Sequence, residues 1–148
     1  MKIPSLLAGV AGECFVAAKL SRRGIIASIS LRNTRGIDIL ATHHDASRAI
    51  TIQCKTNQLS RSTWIFNEKS EDMASPGHFY VFVSLGEPTQ RPTFHVVPSK
   101  AVADHTRSTH KAWLDKPGRD GRRHADNPVR TFSDPCNPFL ERWDLLDL

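Results

Sequence analysis

Residues 35–56 of this chain read RGIDILATHHDASRAITIQCKT, a pattern that predicts two strands joined by a short polar connection. The first strand is expected over residues 36–42 and the second over residues 49–56. In the second strand, isoleucines at positions 50 and 52 alternate with polar residues, as in a half-buried strand. The two strands are therefore expected to pair as a hairpin with one apolar face and one polar face.

Three polar side chains of this hairpin form a candidate metal site. Gln53 and Lys55 lie two residues apart and so share a face of their strand, where Asp38 of the first strand can join them. Such residues suit magnesium, which supplies a nucleophilic water and charge neutralisation at a phosphate. The hairpin therefore predicts metal-assisted phosphodiester hydrolysis. The alternative is a half-exposed hairpin whose polar face is simply solvated.

The chemistry suggests a role for each residue of the candidate site. Asp38 can be the main metal ligand, Gln53 can offer its amide oxygen, and the backbone carbonyl of Cys54 can complete the set. Lys55 can orient or deprotonate the attacking water and stabilise the developing charge. Because glutamine carries no negative charge, metal affinity is expected to be low unless Glu13 contributes from the preceding helix.

Length and composition predict one soluble domain. The chain has 148 residues, of which 39% are hydrophobic and 24% are charged, so residues 1–148 are expected to form a single globular domain. A net charge of +5 favours a polyanionic partner. The three cysteines lack CxxC spacing, so a zinc site or disulfide framework is not predicted. Cys14 and Cys54 are instead expected to be buried free thiols.

Residues 1–20 are apolar and are expected to form a core helix. Glu13 lies in the middle of this stretch and no clear cleavage pattern is present, so neither a signal peptide nor a membrane span is predicted. A cytoplasmic location is the resulting expectation. The apolar stripe of the helix is expected to contain Leu6, Val10, Cys14, Ala17, Ala18 and Leu20.

The rest of the chain predicts further strands and two more helices. Residues 78–85 are almost continuously apolar and aromatic, which predicts a central strand buried on both faces. Residues 115–128 are rich in Gly, Pro and charge, which predicts a loop. Strands are also expected over residues 25–31, 64–66, 93–97 and 129–132, a short helical turn over 68–74, and helices over 100–114 and 138–148. This order predicts an α/β or α+β sheet with helices packed on it.

These residues and their order resemble the PD-(D/E)XK nuclease superfamily. Glu13 in AGECFVAAKL matches its helix glutamate, and Asp38 in RGIDILA matches its strand aspartate. Gln53 and Lys55 in TIQCKT match a QXK motif similar to that of Mrr-type restriction endonucleases. The Gly-Glu pair in the first helix is similar to archaeal Holliday-junction resolvases. Ile37 stands where the motif's name has proline.

The resemblance, which covers residues 12–56, implies a fold, a reaction and a cofactor. The fold is a restriction-endonuclease-like α-β-β-β-α-β core, with a central mixed sheet flanked by helices. The reaction is endonucleolytic hydrolysis of DNA with Mg²⁺ or Mn²⁺. In this superfamily the acidic residues and the glutamine carbonyl bind the metal, which implies the same role for Gln53, and the lysine that Lys55 matches assists catalysis.

Nucleic acid, with DNA expected first, is the predicted partner, and no membrane partner is expected. A chain of this length has little room for a separate recognition domain. It is therefore expected to cleave with structural or weak sequence selectivity, or to act as a homodimer. The candidate phosphate-binding residues are Lys19, Arg32, Arg35, Arg119, Arg122 and Arg123.

Two other functions stay open. The glutamine at position 53 and the modest charge fit a catalytically inactive nucleic-acid-binding or assembly module on the same fold. The other open function is that of an interaction protein, which would dimerise through the C-terminal helix and the Trp64 region. A histidine-metal nuclease is disfavoured because His105 and His110 are five residues apart and no HExxH occurs. The aromatics of residues 78–85 favour core packing over base stacking.

Overall fold

The structure is a computed structural model that describes residues 2–31 and 35–148. In chain order its elements are α1 Ser5–Ser21, β1 Ile25–Ile29, β2 Ile39–His43, β3 Ala49–Asn57, β4 Thr63–Asn67, a 3-10 turn Glu68–Glu71, β5 His78–Ser84, β6 Thr93–Pro98, α2 Ser99–Asp115, β7 Val129–Ser133 and a 3-10 turn Trp143–Leu146. Within these ranges, no helix has both the length and the apolar character needed to cross a bilayer.

Five strands form a mixed sheet in the order β1-β2-β3-β5-β6. β1, β2 and β3 pair as an antiparallel meander, β5 lies parallel to β3, and β6 lies antiparallel to β5. A second sheet pairs β4 with β7. The predicted hairpin within residues 35–56 is confirmed, but β2 begins at Ile39, so Asp38 lies just before the strand and not inside it.

Helix α1 covers one face of the five-stranded sheet. Val16 and Leu20 of the helix are buried against Ile39 and Ile52 of β2 and β3. The helix comes close to β3 because position 12 is a glycine, at which a Cβ would lie 1.9 Å from Oγ1 of Thr56.

The predicted apolar stripe of α1 is wrong in its phase. Leu6 is 64% exposed and Cys14 is exposed, whereas both were expected in the core. Apolar residues lie on several sides of this helix, so the sequence offers more than one stripe. Because α1 packs closely against the sheet, the side of the helix that is buried is the one with small residues near the N-terminal end of the helix. The buried residues of α1 are Ala8, Gly12, Val16 and Leu20.

The other face of the sheet is covered by β4, β7 and α2. Tyr80 and Phe82 of β5 are buried there with Trp64 and Phe132, and the rings of Phe82 and Phe132 stack at 4.5 Å. All residues of β5 are buried, which confirms the predicted central strand. Trp64 is only 2% exposed and donates its indole N–H to the Val83 carbonyl at 2.9 Å. Trp64 itself is therefore a core residue, whereas the neighbouring Ile65 is 74% exposed.

The predicted α-helix over residues 138–148 is also wrong. This segment instead lies along the edge of β6, where the Val96 amide donates to the Phe139 carbonyl at 3.0 Å and the Glu141 amide donates to the Phe94 carbonyl at 2.8 Å. Helical structure there is limited to the 3-10 turn Trp143–Leu146. An edge strand offers unpaired backbone groups, and bonding to them replaces the bonds of a helix.

The close approach of α1 and β3 predicts opposite effects for two Gly→Ala substitutions in the same helix. Gly12→Ala is expected to lower the free energy of unfolding by about 1–3 kcal/mol, because the methyl group overlaps Thr56. Gly9→Ala is the matched control, because a Cβ there meets nothing within 4 Å. Its better helix propensity should raise the free energy of unfolding by up to about 1 kcal/mol. Urea denaturation measures both, and two stabilising substitutions would contradict the packing.

Candidate functional site

Asp38 is held at the point where β2 and β3 separate. Its amide donates to the Ile52 carbonyl at 2.9 Å, and its carbonyl accepts from the Ser30 amide at 2.8 Å. Its carboxylate oxygen Oδ2 accepts from the Cys54 amide at 2.7 Å. Because the pairing of β2 with β3 ends at Ile39 and Ile52, this carboxylate takes the place of the next bond of the ladder.

The backbone carbonyl of Cys54 points toward the same side of β3 as Asp38. The amide of Thr51 and the carbonyl of Asn57 bond to the residues that flank β5, so the odd-numbered residues of β3 direct their backbone groups toward β5. Backbone direction alternates along a strand, and Cys54 therefore directs its carbonyl toward β2. Since β2 has already separated there, this oxygen lies beyond the ladder.

Gln53 and Lys55 line a cavity of about 260 Å³ on the face of β3 that is turned away from α1. The lining includes three cationic side chains, those of Arg35, Lys55 and Lys69, and no carboxylate among the described residues. The cavity is therefore positively charged. Other residues of its wall are Asn67, Ser70, Met73 and Tyr80.

The charges of Glu13, Asp38 and Lys55 all act on the thiol of Cys54. Burial raises the pKa of Cys54 well above its usual range, and the carboxylates of Asp38 and Glu13 raise it further. The ammonium of Lys55 lowers the pKa of the same thiol. Because such effects weaken with distance and with solvent, each of the three charges is close enough to Cys54 to act on its thiol.

The Asp38 carboxylate and the Cys54 carbonyl lie where β2 and β3 separate, and oxygen donors of this kind suit a hard divalent cation. Within residues 2–31 and 35–148, no group of three or more His, Cys, Asp or Glu side chains is placed to hold a metal ion. A cation here would need the two carboxylates together with the amide oxygen of Gln53, the carbonyl oxygen of Cys54, and water or substrate. Carboxylate, carbonyl and water oxygens are the ligands that Mg²⁺ prefers.

Residues 67–73 form a strap beside the polar face of β3, in the connection between β3 and β5. Arg130, which is 7% exposed, holds the strap by donating from Nε to Glu71 Oε1 at 2.5 Å. Arg107 donates from Nη2 to the Glu71 carbonyl at 2.8 Å. These bonds anchor the strap segment whose Lys69 lines the cavity.

The strand β5 supplies the inner wall of the cavity through Tyr80, which lies opposite Gln53 in the parallel pairing. Burial, and then the charge of Asp38, raise the pKa of Tyr80 to about 12. The hydroxyls of Tyr80 and Ser70 are buried, and neither has a hydrogen-bond partner in the described part of the chain. Both line the cavity together with Lys69.

Sequence reasoning did not identify Lys69, Ser70 or Tyr80 as site residues. Lys69 and Ser70 lie in a polar segment without a motif. Tyr80 lies in an apolar strand, where its ring indicated core packing, and the ring does stack on Phe82 at 5.6 Å. Their positions at the site depend on the path of the strap and on the pairing of β3 with β5, neither of which the local pattern determines.

Two of the predicted phosphate-binding residues lie in different places. Arg35 lines the cavity with Gln53 and Lys55. Lys19 does not line the cavity: its Nζ is 3.4 Å from Glu141 Oε2 and 4.9 Å from the centre of the Phe94 ring. Arg32, also predicted to bind phosphate, lies outside the described residues.

The predicted basic loop lies after α2 and apart from the cavity. Arg119, Arg122 and Arg123 are exposed, and none of the three lines the cavity of Gln53. Arg122 forms an ion pair with Asp120 at 3.6 Å within the loop. The structure therefore does not bring these arginines to the cavity of Gln53 and Lys55.

Comparison with known proteins identifies the fold. No protein-family model matches the chain, and no curated protein matches its sequence. Among solved structures, the chain is similar to Hjc, a Holliday junction resolvase from the archaeal hyperthermophile Archaeoglobus fulgidus, with a TM-score of 0.51 and 10% sequence identity. The likeness covers 89% of this chain and 88% of that chain. The predicted fold class, a restriction-endonuclease-like mixed sheet flanked by helices, is confirmed.

The charges around Cys54 predict how substitutions change the pKa of its thiol. In a Cys14→Ser/Cys136→Ser background, Glu13→Gln is expected to lower this pKa, because a negative charge that opposes the thiolate is removed. Lys55→Met is expected to raise it, because a positive charge that favours the thiolate is lost. Thiolate absorbance followed against pH, with a chelator present, measures both. Lys111→Met on α2 is the control, and an equal shift in that variant would contradict the local origin.

Proposed function

We propose that the protein is a divalent-metal-dependent endonuclease that hydrolyses phosphodiester bonds of DNA and acts as a single nuclease-like domain. The observation that carries this proposal is the Asp38 carboxylate, which accepts from the Cys54 amide at 2.7 Å where β2 and β3 separate, on the strand whose Gln53 and Lys55 line the cavity. Support also comes from the likeness of the fold to that of a Holliday junction resolvase. The resemblance of the motif and the likeness of the fold both support this proposal.

The metal ligands would be the carboxylates of Glu13 and Asp38, the amide oxygen of Gln53 and the backbone carbonyl of Cys54. When bound, Mg²⁺ or Mn²⁺ activates a water molecule and neutralises charge at the scissile phosphate. Asp38 is suited to this role because backbone hydrogen bonds to Ser30 and Ile52 hold it in place, which reduces the reorganisation needed for binding.

Lys55 is the residue proposed to act on the water and on the phosphate. It follows Gln53 by two residues, so both side chains reach the cavity from the same face of β3. Its ammonium orients the attacking water and stabilises the negative charge that develops on the phosphate oxygens. In its neutral form, the amine of Lys55 would accept a proton from the attacking water and become an ammonium.

The DNA strand is proposed to enter along the cationic wall of the cavity. Arg35 lies there beside Lys55, and Lys69 adds a third positive charge. Contacts with phosphates are largely independent of sequence, which agrees with weakly specific or structure-selective cleavage. Of the other predicted phosphate contacts, Lys19, Arg119, Arg122 and Arg123 do not line the cavity, and Arg32 lies outside the described residues.

A catalytically inactive nucleic-acid-binding or assembly module is the second candidate function. The observation that favours it is the neutral side chain of Gln53, which leaves Glu13 and Asp38 as the carboxylates of the proposed metal site. Such a module would bind nucleic acid in a salt-sensitive manner without metal-dependent cleavage. A homodimer stays a prediction for either function, and a molar mass from light scattering tests it.

Cleavage of DNA is expected to require a divalent metal and to be lost in Asp38→Ala, which removes the main metal ligand. Lys55→Ala is expected to reduce the rate by about 10²–10⁴-fold, the usual size of a general acid–base contribution. A gel assay with supercoiled and branched DNA measures both rates. The matched controls are Asp104→Ala and Lys100→Ala, an exposed ion pair on α2 that should retain full activity. Cleavage by both site variants at the wild-type rate would contradict the assignment.

Gln53→Glu is expected to tighten the binding of Mg²⁺ or Mn²⁺ by about tenfold, because a further carboxylate joins the ligand set. Isothermal titration calorimetry measures this affinity without any need for catalysis. Gln90→Glu, in an exposed turn, is the control and should leave the affinity unchanged. A metal affinity that is the same in wild type and in Gln53→Glu would count against Gln53 as a ligand.

A further inference from the structure

The cavity beside β3 contains two buried hydroxyl groups that no protein group within residues 2–31 and 35–148 satisfies. Tyr80 is 1% exposed and Ser70 is 4% exposed, and in the described part of the chain neither hydroxyl has a hydrogen-bond partner. A buried polar group without a partner costs free energy, so native proteins seldom retain one without a role. Both residues line the cavity of Gln53 and Lys55.

The charges at the cavity specify the kind of ligand. Arg35, Lys55 and Lys69 line it, and none of the ion pairs among the described residues uses these three side chains. No described carboxylate belongs to the lining. Hydroxyl donors beside three cationic side chains suit an anion that has several acceptor oxygens, as a phosphate group has.

The size of the cavity allows such a group. Its volume of about 260 Å³ corresponds to roughly nine water molecules at liquid density, which is enough for a phosphate and part of the sugar attached to it. The strap of residues 67–73 closes one side of the cavity, and Arg130 anchors this strap through Glu71. The donors are therefore held in place before a ligand arrives.

We propose that this cavity is a phosphate subsite, in which the hydroxyls of Tyr80 and Ser70 donate hydrogen bonds to one phosphate group of a nucleic-acid strand. Arg35 and Lys69 hold that phosphate by charge. This inference rests on the proposed function and adds a binding subsite to it, formed by the strap and β5. Among the proposed metal ligands, Gln53 also lines this cavity, whereas Asp38 and Glu13 are not part of its lining.

Tyr80→Phe separates stability from binding, and the two effects have opposite signs. The variant removes a hydroxyl that is unsatisfied in the free protein, so its Tm is expected to rise by about 2–4 °C. The same variant is expected to bind a DNA oligonucleotide about tenfold more weakly, because a hydrogen bond to a charged group is lost. Binding is measured by fluorescence anisotropy with a chelator present, so no cleavage step contributes.

Ser70→Ala and Lys69→Gln test the strap side of the subsite in the same assay. Each is expected to weaken oligonucleotide binding, and Lys69→Gln is also expected to reduce the salt dependence of the affinity. The matched controls on α2 are Ser108→Ala and Lys111→Gln, which should bind as the wild type does. Unchanged affinity in Tyr80→Phe, Ser70→Ala and Lys69→Gln together would overturn the proposal.

Fluorotyrosine labelling gives a readout that needs no substitution at the site. Tyr80 is the single tyrosine of the chain, so the labelled protein has one fluorine resonance. Inorganic phosphate alone, and then the oligonucleotide, are each expected to shift that resonance in metal-free buffer. A shift with both, in a protein that never cleaves DNA, would support the subsite while the proposed catalysis fails. Cleavage without any shift would refute the subsite and leave the proposed catalysis standing, with water as the partner of the hydroxyls.

Discussion

The hydrogen bond from the Cys54 amide to the Asp38 carboxylate stands where the ladder between β2 and β3 ends. A side chain replaces a backbone acceptor at this point, so β2 can turn away from β3 without leaving the Cys54 amide unsatisfied. Because the side chain of Asp38 takes the place of the backbone acceptor, the Cys54 carbonyl lies beyond the ladder, with a carboxylate next to it. Bonds of this charge-assisted kind contribute about 1.5–3 kcal/mol, so the sheet and the candidate site depend on one residue.

The walls of the site are built by parts of the chain that have other tasks in the fold. The crossover between the parallel strands β3 and β5 passes beside Gln53, because parallel neighbours cannot be joined by a tight turn. Arg130 is buried with Glu71 as its partner, and such a pair is tolerated because its hydrogen bonds are satisfied. This pair holds the strap of residues 67–73 and so determines where Lys69 lies.

Much of the sheet was predictable from local sequence patterns, whereas the packing of its neighbours was not. Alternation with a period of two marked β3, and the continuous apolar run marked β5 as a strand buried on both faces. The phase of α1 was predicted wrongly because apolar residues lie on several of its sides, and contact with Thr56 selected the side of Gly12. Residues 138–148 have a helical pattern, but bonds to the edge of β6 override it.

The residues of the candidate site also divide into those that local sequence patterns identified and those that only the tertiary structure brought to the site. Asp38, Gln53 and Lys55 were identifiable because they lie close together in the chain, where strand geometry relates their directions. Glu13 was identifiable through its place in a superfamily pattern, although its position near Cys54 depends on how α1 packs. Lys69, Ser70 and Tyr80 carry no local pattern, since long-range pairing and a buried ion pair bring them to the cavity. The sequence by itself determines the short-range periodicity, whereas contacts between distant segments form only when the chain folds.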